Sequence, residues 1–195
     1  MMAEPMSRID GARKFLPLNI AVLTITDTRT LAEDKSGDLL AARIRDAGHT
    51  VFDRALVRDE VPAIVEKLKG WIADPKIDAV ISTGGTGLTG RDVTPEAFRK
   101  VFEKEIDGFA AVFHQISFGT VGTSTLQSRA CAGVAGGTYL FALPGSSGAV
   151  KDAWDGILKH QFDSRHMPCN FAEIMPRLQE HMPDGGKRGK APKTA

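Results

Sequence analysis

The chain reads as an α/β protein in which a mostly parallel, twisted sheet lies between helices on both faces, a three-layer arrangement. Two observations predict this. Short β-branched or apolar runs alternate along the chain with segments whose apolar residues recur at helical spacing. The strand-to-helix links carry glycine, serine and threonine, the residues that turn a chain and open helices.

The elements follow in order. Asn19 to Thr26 is a β-branched run suited to a buried strand. Ser36 to Ala47 is helical, with Gly48 as its stop. Thr50 to Val57 reads as a second strand. Val61, Ile64, Val65, Leu68 and Ile72 then recur at helical spacing, with Pro62 tolerated in the first turn. Ala79 to Ser82 is a third strand, and Thr94-Pro95-Glu96 supplies a cap, a first-turn proline and a first-turn acid. Ser124 to Gln127 forms a capping box opening a helix towards Gly133, a helix that contains Ser128 and Arg129. Thr138 to Leu143 is another strand. Pro144 to Ser147 turns into a helix carrying Val150, Ala153, Trp154, Ile157 and Leu158, and a last helix covers about Phe171 to Glu180.

The 195 residues suit one domain, expected over 16–182, with a flexible segment 1–15 and a disordered basic tail 183–195. Composition is near the globular average, with 42% hydrophobic and 25% charged residues, which argues against a disordered or fibrous chain. A net charge of +1 provides no global field towards nucleic acid or a membrane surface, so an anion must be caught locally. Cys131 and Cys169 form no CxxC pair, which weakens zinc and disulfide readings and makes a reducing cytoplasm the expected compartment. No secretory signal is legible in the first ten residues. Residues 130–150 are uncharged, but five glycines and a proline break them into shorter elements, not a membrane span.

The chemistry concentrates between Val80 and Glu96. Gly84, Gly85, Gly87 and Gly90 fall within seven residues after a strand, and their bare N–H groups suit an anion. Gly85, Gly87 and Gly90 match GxGxxG, yet Arg91, Asp92 and Val93 delay the helix that a dinucleotide fingerprint requires. A Walker A reading fails because Arg91-Asp92 stands where Lys-Ser/Thr is needed. Asp92 is either a turn carboxylate bonded to its own backbone or a magnesium ligand beside a phosphate. Asp59 could cap the following helix. Ser146 and Ser147 offer hydroxyls at a helix start, as anion donors or an ordinary cap, and Arg129 could grip a phosphate. Ligands of such sheets bind at the carboxyl ends of the strands, which marks Asp27-Thr28-Arg29, Thr83 to Asp92 and Pro144 to Ser147 as the candidate loops. The five histidines show no ligand or triad spacing.

Three stretches carry a family resemblance: STGGTGLTGRDVTPE from Ser82, GTSTLQSRACAGVA from Gly122 and LPGSSGAVKDAW from Leu143. Together they resemble the molybdopterin-binding MoaB/MogA family, and the second stretch with RHMPCNF from Arg165 is similar to its MoaB branch. The likeness runs from about Leu18 to Leu178. It implies a MoaB/MogA-like, Rossmann-like fold and a trimer-based homo-oligomer, commonly a hexamer. It implies a reaction in which Mg-ATP adenylylates the terminal phosphate of molybdopterin and pyrophosphate leaves. Asp59 and Asp92 match the two aspartates essential to that reaction, and Asp92, with Asp59 beside it, would hold magnesium. Thr83, Gly84, Gly85, Thr86, Gly87, Gly90, Thr94, Pro95, Glu96 and Ser128 fall on motifs expected to bind substrate. Pro144, Gly145, Ser146 and Ser147 match the loop lining the pterin side. A second role implied by the resemblance is a non-catalytic protein that holds molybdopterin or a precursor in the same pathway.

Overall fold

The computed structural model describes residues 8–188. The expected flexible segment and basic tail therefore lie partly outside the described residues, over 1–7 and 189–195. In chain order the elements are β1 (Arg8–Ile9), β2 (Asn19–Ile25), α1 (Lys35–Asp46), β3 (Thr50–Val57), α2 (Val61–Ala73), β4 (Ala79–Thr83), α3 (Thr94–Arg99), β5 (Lys104–Glu105) and α4 (Asp107–Val121). They continue with β6 (Cys131–Ala135), β7 (Thr138–Leu143), α5 (Ser147–Ala153), α6 (Lys159–Gln161), β8 (His166–Met167) and α7 (Phe171–Ile174).

Six strands form a mixed sheet in the order β3-β2-β4-β7-β6-β5. The pairings from β3 to β7 are parallel, and those of β6 with β7 and with β5 are antiparallel. Alternation along β2 divides the core. Ile20 and Val22 join α1, α4 and α5 on one face, and Ala21, Leu23 and Ile25 join α2 and α3 on the other. Each fully buried Leu, Ile or Phe there contributes roughly 1.5–3 kcal/mol. β1 pairs with β8, and the Ser164 hydroxyl donates to the Lys14 carbonyl at 2.8 Å, so residues 8–14 lie against the domain. Among the described residues no helix is long and apolar enough to cross a membrane.

A buried carboxylate fixes the start of α1. Asp34 accepts the Gly37 N–H at 2.9 Å as an N-cap, the Thr24 hydroxyl at 2.5 Å and Arg54 Nη2 at 2.8 Å. Burial acts to raise this carboxyl, but the three donors outweigh it and hold it below its ordinary range.

Two expected helices take other forms. The Ser124–Gln127 capping box does not open a helix towards Gly133. Gly122–Gln127 is a 3₁₀ segment, Ser128 and Arg129 are outside any helix, and Cys131–Ala135 is strand β6. The reason is the Gly136-Gly137 turn, whose φ values of 55° and 74° fold β6 back onto β7 as a hairpin. The helix expected over Phe171 to Glu180 ends at Ile174 and passes into a 3₁₀ turn, Met175–Arg177, where Pro176 has no N–H for the helical ladder.

Candidate functional site

The connection from β2 to β3 carries α1 over one face, and that from β3 to β4 carries α2 over the other, so the chain reverses direction across the sheet beside β2. Ligands bind at such a switch point, beyond the carboxyl ends of the strands. A cleft of about 470 Å³ opens there. The loops after β2, β4 and β7 all line it, as do Asp59 after β3 and Gln127 and Ser128 before β6.

The glycine loop forms its wall because side chains would not fit. Gly84 has φ 110°, and a Cβ there would overlap the Ile25 carbonyl oxygen. A Cβ at Gly85 would overlap the Thr94 hydroxyl and lie 2.6 Å from Asp59 Oδ1. Gly90 is different, since a Cβ there meets nothing within 4 Å. Threonines brace the loop from behind. Thr94 donates from Oγ1 to the Gly84 carbonyl at 2.9 Å, and Thr83 donates from Oγ1 to the Pro144 carbonyl at 3.0 Å.

The Arg129 guanidinium, which the sequence offered to a phosphate, is engaged by groups of the protein itself. Its Nε donates to the Gly87 carbonyl at 2.8 Å, Nη2 donates to the Asp92 carbonyl at 2.7 Å, and Nη1 pairs with Glu96. Its fork is spent on the glycine loop, so Arg129 is a strut.

Three carboxylates face the cleft. Asp59 does not cap α2: the N-cap residue is Glu60, and no side chain bonds the helix start. Burial pushes the Asp59 carboxyl up, and the charges of Asp27 and Asp92 add to that. Asp92 accepts the N–H and hydroxyl of Thr89 at 2.8 and 2.6 Å. Burial would raise it, but these bonds and the Gly87 N–H hold it below its ordinary range. Asp92 is thus both a turn carboxylate and a cleft residue. Asp27 is held low, chiefly by its bond from Arg91.

Of the residues marked by sequence, Asp59, Asp92, Gly84, Gly85, Thr86, Gly87, Ser128, Pro144, Gly145 and Ser146 line the cleft. Thr83, Thr94 and Glu96 lie outside the lining and bond the loops or Arg129 from there, and Gly90, Pro95 and Ser147 are also outside the lining. Ser146 caps α5 by accepting the Ala149 N–H at 3.1 Å. Ser128 Oγ is buried with no partner in the structure. Arg29 and Gln127 also line the cleft and were not singled out as ligands, although Arg29 lies in a candidate loop. A second, mainly apolar cavity of about 410 Å³ shares Ser128, Pro144 and Ser146 with the first.

A protein-family model described as a probable molybdopterin binding domain matches residues 21–164, which span the cleft-forming loops. The chain belongs to the molybdopterin-binding MoaB/MogA family. Within that family, the molybdenum cofactor biosynthesis protein B of Escherichia coli (strain K12) is 46% identical over 158 residues, covering 81% of this chain and 93% of that protein. The protein of the same description from Bacillus subtilis (strain 168) is 41% identical over 138 residues, covering 70% of this chain and 81% of its own length. A crystal structure of a molybdenum cofactor biosynthesis protein B superposes with a TM-score of 0.77 at 35% identity, over 85% of this chain and 98% of the other. The tungsten cofactor synthesizing protein MoaB from Pyrococcus furiosus superposes with a TM-score of 0.62 at 33% identity, over 72% and 90% of the two chains. The expected fold is therefore the family's own.

Proposed function

We propose that this protein acts in molybdenum cofactor biosynthesis, binding molybdopterin and adenylylating its terminal phosphate with Mg-ATP. The observation that carries this reading is the convergence of Asp27, Asp59 and Asp92 on one glycine-walled cleft. With Arg29 and Arg91 as its cations, the ionised cleft has a net charge of −1, so a metal ion would strengthen polyphosphate binding there.

The residues fit magnesium delivered with a nucleotide. Among the described residues no cluster of three or more His, Cys, Asp or Glu side chains could hold a metal ion. Magnesium needs only one or two carboxylates when phosphates complete its shell. Asp59 suits it, because burial and two neighbouring acids raise its carboxyl and a cation would relieve both. Asp92 retains lone pairs beyond those used by Thr89. Bound there, magnesium would supply charge neutralisation for the phosphates.

The rest of the chemistry is positioning. In the transfer, a pterin phosphate oxygen bonds to the α-phosphorus of ATP, the bond from that phosphorus to the bridging oxygen breaks, and pyrophosphate leaves with the electron pair. Backbone N–H groups of the glycine loop would hold the oxyanion as charge develops. The Arg29 guanidinium, which makes no hydrogen bond or ion pair among the described residues, is free to meet the outer phosphates, while the Arg29 backbone N–H donates to the Thr26 hydroxyl at 3.3 Å. The apolar cavity suits the pterin, and Ser128, with its unpartnered hydroxyl, stands where the two cavities join.

Val112, Phe118, Val121 and Leu126 are exposed apolar side chains on α4 and the turn after it, which supports a homo-oligomer, in our reading a trimer-based hexamer in the cytoplasm. Light scattering checks this, and a monomer at micromolar concentration contradicts it. The site reading is checked by calorimetric titration with Mg-ATP and, separately, molybdopterin. Asp92→Ala should lose Mg-ATP binding and keep the pterin; loss of neither would overturn the metal assignment.

A further inference from the structure

Arg91 belongs to the glycine motif and counts in the cleft's charge, but no contact or step described above uses its guanidinium. Its guanidinium spans the mouth of the cleft to Asp27, with Nε donating to Oδ2 at 2.8 Å and Nη2 to Oδ1 at 2.9 Å. The partners lie 64 positions apart, on the loops after β4 and β2, and both line the cleft. The Arg91 side chain is 62% exposed, so water competes for it and the pair is weakly held. The guanidinium edge that clasps this carboxylate is also the one that clasps a phosphate. Asp27 has a second anchor, since its Oδ1 accepts the Asp59 backbone N–H at 3.2 Å. If Arg91 departs, the Asp27 carboxylate stays beside Asp59 without its cation.

We propose that Arg91 and Asp27 form a phosphate-exchanged latch: a bound polyphosphate takes the guanidinium, and the freed Asp27 carboxylate joins Asp59 in holding magnesium. This rests on the nucleotide reading of the cleft. It gives the arginine two successive partners and makes the Asp27 carboxylate available only when a ligand has arrived. Metal affinity thereby depends on nucleotide, as a co-substrate metal requires.

The latch has a signature that a fixed surface ion pair lacks. Without metal, Asp27 competes with phosphate for Arg91, so its neutralisation helps the nucleotide. With metal, the same change removes a ligand. Calorimetric titration of ATP into the whole protein, once in EDTA and once in saturating Mg²⁺, reads both effects. Asp27→Asn should tighten ATP about fivefold in EDTA and weaken it about fivefold in Mg²⁺. Arg91→Ala should weaken ATP about tenfold in both conditions, with Arg91→Lys recovering part of the loss. In the Arg91→Ala background the EDTA tightening from Asp27→Asn should shrink to about twofold or less, because the two residues are coupled.

Effects of one sign in both conditions, or undiminished tightening in the double variant, would overturn the latch while leaving the nucleotide reading intact. Failure of the unaltered protein to bind ATP in either condition would overturn both.

Discussion

Arg129 Nη2 donates to the Asp92 carbonyl oxygen at 2.7 Å, which ties the turn before β6 to the backbone of the residue proposed to hold magnesium. The Gly87 carbonyl and the Glu96 carboxylate take the rest of the guanidinium. The shape of the glycine loop thus depends on a residue 37 positions away from Asp92.

Removing that strut should damage binding and stability together. Arg129→Met leaves two backbone carbonyls without their charged donor, a loss of about 2 kcal/mol. Urea denaturation should show the lower midpoint, and Mg-ATP affinity should fall about tenfold or more. Lysine has one point charge in place of a fork, so Arg129→Lys should not restore affinity.

The glycines should divide into required and dispensable positions. Gly85→Ala places a methyl against the Thr94 hydroxyl and Asp59 at a φ of 63°, and should abolish Mg-ATP binding. Gly90→Ala enters open space and should leave binding within about twofold. Equal effects at the two positions would contradict the wall described for Gly84 and Gly85.

Asp59 should oppose stability at neutral pH. Its folded carboxyl titrates above its ordinary value of 3.8, so the native state binds more protons than the unfolded chain across the window above that value. Stability from this group is present below the window and lost as pH rises through it. Asp59→Asn should raise the melting temperature at pH 7 by about 1–3 °C, have a smaller effect at pH 4, and reduce adenylylation.

Asp34 carries the opposite sign. Its folded carboxyl titrates below 3.8, so its contribution is present above that value and lost as pH falls through the lower folded value. Asp34→Asn leaves Arg54 without its buried partner and should cost about 3–5 kcal/mol in chemical denaturation. Arg54 keeps its Asp38 contact, so the loss should fall at the lower end of that range.

The central strands and the glycine motif were legible because each announces itself locally. β2 and β7 are dense apolar runs, and four glycines between a strand and Thr94-Pro95 have few other uses. α4 shows no helical stripe in the sequence because it is apolar on several sides, from Phe109 and Phe113 within to Val112 and Phe118 without. β6 falls where the capping-box pattern predicts the end of a helix, although the Gly136-Gly137 pair between two apolar runs is a hairpin signal. Arg129 could not be resolved in one dimension, since its carbonyl partners are residues of another loop. The Asp27–Arg91 pair was hidden for the same reason.

The most direct test of the function is AMP transfer itself. Purified protein with molybdopterin, ATP and Mg²⁺ should yield adenylylated molybdopterin and pyrophosphate in equal amounts by mass spectrometry and enzymatic pyrophosphate assay. Asp92→Ala should abolish both products, and EDTA should do the same to the unaltered protein. Tight pterin binding with no AMP transfer at saturating Mg-ATP would contradict the adenylylation account and leave a molybdopterin-binding protein in its place.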